Sequence, residues 1–152
     1  MFQLRTIQPA AFQRFIFQRY FRSESNNPYF WYTFNMNSAS LKLAKTFLGK
    51  TVEVTMDRPL GSKHPKHGFL YEVNYGFIKG VTAPDGEDLD AYFLNTDSPL
   101  DIATGVCVAI VHRLEDDDDK LVVIPEGSTI TNEEILKATH FQEQWFKNMI
   151  VR

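Results

Sequence analysis

The sequence predicts a small α+β domain, mainly β, in which short strands wrap into a strongly twisted barrel with a carboxy-terminal helix packed against it. Three observations predict this. Five short apolar or alternating runs lie between Thr51 and Ile124, with turns rich in Pro, Gly and Asp between them. A single capping box, Thr131-Asn132-Glu133-Glu134, precedes an apolar series at helical spacing. The 152 residues, 43% hydrophobic and 23% charged, suit one soluble domain able to bury a core, and no internal repeat divides them.

The strands follow in order. Val52, Val54 and Met56 alternate with Glu53 and Thr55, the period of a half-buried strand, until Asp57-Arg58-Pro59-Leu60-Gly61 breaks it. Lys63-His64-Pro65-Lys66-His67-Gly68 is a basic loop, and Phe69 to Tyr75 reads as the second strand. Pro84-Asp85-Gly86 signals a turn, and the remaining strands are expected at Leu89 to Leu94, Gly105 to Arg113 and Leu121 to Ile124. After the capping box, Ile135, Ala138, Phe141, Trp145 and Met149 should form one core-facing helical stripe. Cys107 sits in an apolar run and reads as a buried core thiol. As the only cysteine it allows no internal disulfide, which fits a reducing compartment.

Residues 1–35 look foreign to this pattern. They hold eleven of the 21 aromatics, four arginines, no lysine and the single acid Glu24, a local charge of +3. The net charge of −3 therefore leaves −6 on the remainder. An arginine-rich presequence or an interfacial anchor would read this way. The plainer reading, which we favour, is an upstream stretch translated by mistake, with the domain running from Met36 to Arg152. An acidic body argues against nucleic acid as the main partner, and no apolar stretch is long enough to cross a bilayer.

The chemistry concentrates in two acidic segments. Asp85, Glu87, Asp88 and Asp90 crowd a turn and the strand that follows it, and Asp88 and Asp90 should share a face. Crowded carboxylates repel unless a cation intervenes, and oxygen ligands on short turns suit a hard ion such as Mg²⁺. The bland alternative is a solvated acidic turn. Glu115-Asp116-Asp117-Asp118-Asp119-Lys120 has a stronger bland reading, a solvated hairpin tip, although alternation makes Asp118 and Lys120 a natural pair. Lys63, Lys66, His64 and His67 could receive phosphate or merely decorate a loop. A zinc site on the two histidines is a weaker alternative, because Pro65 prevents a regular helix across them. Tyr71 and Tyr75, four apart on the expected strand, should lie on one face, as core tyrosines or as phosphate donors.

Three segments together resemble the soluble family I inorganic pyrophosphatases: Asn74-Tyr75-Gly76-Phe77-Ile78, Asp85-Gly86-Glu87-Asp88-Leu89-Asp90 and Asp118-Asp119-Lys120-Leu121-Val122. The resemblance spans roughly Thr51 to Ile150, about two thirds of the chain. It implies a five-stranded, OB-like barrel with helices, and Mg²⁺-dependent hydrolysis of pyrophosphate to two orthophosphates by metal-activated water. It also implies a cytoplasmic enzyme of phosphate metabolism that often assembles into dimers or hexamers. By resemblance, Asp85, Asp90 and Asp118 would hold metal, with Glu115 or Asp116 near a further metal-ligating aspartate and Asp57 matching an active-site glutamate. Glu87 would stand where an aspartate helps to activate water, with Asp90 beside it as the second catalytic carboxylate. Lys63, Tyr71, Tyr75 and Lys120 would contact phosphate.

Departures from the family pattern are specific. Glu87 and Asp88 break the acidic motif twice. A carboxylate displaced by about 1 Å can lower a rate ~100-fold. The family's early lysine–glutamate hairpin has no counterpart between Pro59 and Gly68, a gap that Lys66 or His67 could fill. A late tyrosine–lysine pair corresponds to Trp145-Phe146 or to Phe146-Lys147, so Lys147 is the last substrate-binding candidate. Two alternatives stand beside pyrophosphate hydrolysis: a hydrolase of another phosphoanhydride on the same scaffold, or a non-catalytic protein that binds metal or phosphate.

Overall fold

The structure is a computed structural model that describes residues 36–152, so the readings of residues 1–35 lie outside the described residues. Among the described residues, two helices and six strands follow in the order α1 (Ala39–Lys45), β1 (Thr51–Arg58), β2 (Asn74–Thr82), β3 (Asp88–Phe93), β4 (Ile102–Arg113), β5 (Lys120–Ile124), α2 (Asn132–Glu143) and β6 (Asn148–Val151). Five strands close into a barrel in the order β1-β2-β3-β5-β4, with β4 pairing back onto β1. All pairings are antiparallel except β3 with β5. The architecture is the expected mainly-β barrel with a helix against it.

β4 is long because it serves three partners. Val106 pairs with both Thr51 of β1 and Ile124 of β5, whereas Ile110 pairs with Leu121 of β5 and Val151 of β6. β6 therefore continues the edge that β1 begins. The alternation of each strand sorts side chains into two cores. Leu89, Ala91 and Phe93 join Val52, Val54, Cys107, Leu121 and Val123 inside the barrel, where Leu41 and Ala44 of α1 also pack. Tyr92, Leu94, Ala109, Val111 and Val122 face outward onto Ile135 and Phe141 of α2, together with Tyr71 and Tyr75.

Four expectations change. The second strand begins at Asn74, not Phe69, and residues 69–73 contribute only the bridge between Leu70 and Lys63. Phe69 and Tyr71 instead turn their rings onto Phe141, at centroid distances of 6.0 and 5.6 Å. Gly76 sits so close to β1 that an added Cβ would lie 1.9 Å from the Thr55 carbonyl oxygen, opposite the irregularity at Met56 to Arg58. The carboxy-terminal stripe also breaks. α2 stops at Glu143, because Asn148 Nδ2 donates to the carbonyls of Glu143 and Phe146, and Met149 passes into β6. Trp145 leaves the core and is 73% exposed. α1 and β6 have no counterpart in the sequence expectation. α1 is capped by Ser38, whose Oγ accepts from Leu41 N.

Candidate active-site cleft

The two acidic segments meet at one lysine. Lys120, the first residue of β5, is buried, and its Nζ reaches Asp90 Oδ2 at 2.6 Å and Asp118 Oδ1 at 2.5 Å. The expected Asp118–Lys120 pair is therefore present, with Asp90 of β3 as a third member. The other Asp118 oxygen receives Arg113 Nη1 at 2.8 Å. Arg113 also donates through Nε and Nη2 to Glu143 at 2.8 and 2.9 Å, a bidentate pair whose partner additionally accepts from the Tyr92 hydroxyl at 2.6 Å. The guanidinium lies 3.6 Å from the centre of the Phe146 ring, so its remaining face is covered. Burial alone would make Arg113 easier to deprotonate, but its bonds to Glu143 more than offset this and hold it charged.

The tyrosines sit on the same side. Tyr71, Tyr75 and Tyr92 form a chain of rings with centroids 5.5 and 5.0 Å apart. Tyr71 and Tyr75 thus meet as expected, although Tyr71 precedes the strand. Burial, and after it the Asp90 charge, raises the Tyr75 hydroxyl well above its usual pKa and keeps it a neutral donor. Burial likewise raises Asp57, with Arg58 opposing and the Asp90 charge adding to the rise. Asp57, Tyr71, Tyr75, Asp90, Asp118 and Lys120 form one neighbourhood.

Other expected site residues lie elsewhere. Asp85 and Glu87 are exposed on the β2–β3 turn, where Asp85 Oδ1 accepts the Glu87 amide at 3.0 Å. Lys147 pairs with Glu115 at 3.0 Å on the surface, beside Asp116 and Arg113. Lys63 and Lys66 are exposed in the basic loop, where the His64 and His67 rings lie tilted to each other with centroids 4.7 Å apart. The second acidic run is not simply solvated. Asp117 Oδ1 accepts the Ser40 amide, Asp119 accepts the Arg113 amide and contacts His112 Nδ1 at 2.7 Å, and the Asp119 amide donates to Ser40 Oγ. The hairpin is thereby bound to α1.

Sequence reasoning missed Arg113 and Glu143. The available signal was the helical series Ile135, Thr139, Glu143 at spacing i, i+4, i+8, whose buried third member is an acid that needs a cation. Arg113 ends the apolar run of β4 and supplies it. Asn74, in the first resembling segment, is fully buried. It accepts from the Leu60 and Leu100 amides and donates to Thr96 Oγ1 and Ser98 O, so it fastens loops and does not face the cleft.

A cleft of about 600 Å³ opens at the Asp118 and Lys120 end of this cluster, lined also by Arg113, Gln142, His64, His67, Phe69, Trp145 and Phe146. Asp90 and Asp118 offer the oxygen chemistry that Mg²⁺ requires, but not a free arrangement. Both already hold Lys120, and Arg113 takes the second Asp118 oxygen. Among the described residues no three His, Cys, Asp or Glu side chains converge to hold a metal. A resident divalent ion does not fit the cluster as built.

The fold and the cleft define a small closed β-barrel with two buried cations at the mouth of a cavity. No family model matches the chain, and no curated protein matches it. Solved structures do. The inorganic pyrophosphatase of Ehrlichia chaffeensis aligns at a TM-score of 0.54 and 17% identity, over 68% of this chain and 86% of that one. The inorganic pyrophosphatase of Helicobacter pylori aligns at 0.51 and 16%, over 66% and 82%. This chain has the fold of inorganic pyrophosphatases.

Proposed function

We propose that the chain hydrolyses a phosphoanhydride, inorganic pyrophosphate first among them, at the cluster of Asp57, Tyr75, Asp90, Asp118 and Lys120. The observation that supports this most is Lys120: a buried ammonium poised between Asp90 and Asp118 at the edge of a cleft, on the fold that pyrophosphatases share. Lys120 and Arg113 would receive phosphate oxygens and answer the charge that grows on the leaving group. Water would add to one phosphorus while the bridging P–O bond breaks, releasing two orthophosphates and passing one proton to a carboxylate. Asp90 is the acceptor in this reading. Asp57, whose affinity for a proton is raised by burial, stands beside it as a second.

Mg²⁺ belongs to this reading as part of the substrate, since phosphoanhydrides arrive as Mg²⁺ complexes and the ion is commonly shared between substrate phosphates and one or two carboxylates. The reading carries with it a small-molecule substrate, a cytoplasmic setting and assembly of identical chains. No helix among the described residues is long and apolar enough to cross a membrane.

The test is phosphate release from pyrophosphate by the full chain, with and without Mg²⁺, for the parent and Asp90→Asn. Mg²⁺-dependent release that disappears in Asp90→Asn, with a cooperative thermal transition retained, is expected. Undiminished release in that variant would remove the assignment.

A further inference from the structure

Pyrophosphate uses only part of this cleft. It has two phosphoryl groups and no apolar surface, whereas the cavity of about 600 Å³ lies in the range that encloses whole organic ligands. Its cationic wall, Arg113 and Lys120, accounts for the phosphates. Its aromatic lining does not serve them. Trp145 is 73% exposed although it is the largest apolar side chain near the site, and Phe69 and Phe146 line the same cleft. The Phe146 ring is already covered by Arg113, which leaves Trp145 as the free flat surface. Gln142 adds a third requirement. Gln142 lines the cleft, its Oε1 is buried with no hydrogen-bond partner among the described residues, and an unpaired buried acceptor is costly. Only a donor can satisfy it, and pyrophosphate at neutral pH is almost wholly an acceptor. An amino group on a ring, or a sugar hydroxyl, is a donor.

We propose that the cleft takes a phosphoanhydride that carries an aromatic ring, the chemistry of a nucleoside diphosphate, with the phosphates on Lys120 and Arg113, the ring on Trp145 and a ring or sugar donor on Gln142. The inference rests on the phosphoanhydride reading of the same cations and names its substrate class. Stacking of a base on an aromatic side chain changes affinity by roughly tenfold or more.

Calorimetric titration of the full chain with ADP and with pyrophosphate, each with Mg²⁺, tests it, alongside Trp145→Ala and Gln142→Ala. ADP is expected to bind roughly tenfold or more tightly than pyrophosphate, and Trp145→Ala to erase that advantage while leaving pyrophosphate affinity unchanged. Trp145 is exposed, so its loss spares the core, and an unchanged melting curve verifies this. Equal affinity for the two ligands, or equal loss of both in Trp145→Ala, overturns the inference. If pyrophosphate is then still hydrolysed, the hydrolase reading stands without it. If ADP binds through its ring but neither anhydride is cleaved, the substrate class stands and the hydrolytic reading falls. If neither ligand binds, both fail.

Discussion

The turn before β3 and the hairpin before β5 are both rich in carboxylates, yet one is left in solvent and the other is built into the protein. Among the described residues the Asp85 carboxylate meets only the Glu87 amide, and the Glu87 carboxylate has no partner. Asp117, Asp118 and Asp119 each have a different structural partner: the amide of Ser40, the cations Lys120 and Arg113, and the buried His112. What separates the two segments is what lies opposite. Behind the hairpin stand the end of β4, which ends in Arg113, and α2, which ends in Glu143. The turn faces water. A carboxylate's role is decided by whether the fold brings a cation within about 3 Å before solvent can answer the charge.

Breaking the built-in side should have the largest effect. Arg113→Ala strips Glu143, Asp118 and Phe146 of a shared buried partner, and removing one member of a buried ion pair costs about 3–5 kcal/mol. Urea unfolding checks it, and the double variant Arg113→Ala/Glu143→Leu should recover part of the loss, since no uncompensated charge then remains. A milder break is Asp118→Asn, which weakens two charge-assisted bonds and should destabilise by about 1–2 kcal/mol. The matching change on the exposed turn, Glu87→Gln, should stay within ~0.5 kcal/mol by the same unfolding assay. Equal losses in these two variants would erase the distinction between the segments.

The smallest effect concerns pH. The folded-state pKa of Asp57 is raised above the ordinary 3.8, so the folded protein binds its proton more tightly than the unfolded chain does. Stability from this group is therefore present below pH 3.8 and declines as pH rises through the raised value. Asp57→Asn should flatten that portion of a stability-versus-pH curve, and an unchanged slope would show that Asp57 titrates normally in the folded protein.

Much of the barrel was legible before folding was known, for an identifiable reason. Strand alternation and the capping box are local signals, and β1, β3, β4, β5 and the start of α2 follow them within a few residues. The Asp118–Lys120 pair was legible too, since two residues apart at a strand's beginning share a face. Misplacement of β2 had a non-local cause. Phe69 and Tyr71 look like strand residues, but their rings had a better partner in Phe141, far away in sequence. Trp145 read as core because helical spacing cannot register that Asn148 ends the helix two residues earlier.

By itself, then, the sequence determined the strand periods, the helix start and the two reservoirs of carboxylate from which any site would be drawn. Those are short-range properties, set by backbone geometry and the chemistry of neighbouring residues. Only the tertiary structure decided which carboxylates keep their charge to themselves and which share it with Lys120 and Arg113. It likewise decided that Trp145 faces a cleft and not the core. Charge pairing depends on distances of a few ångströms between residues 30 positions apart, as between Asp90 and Lys120 or Arg113 and Glu143, and no local pattern encodes them.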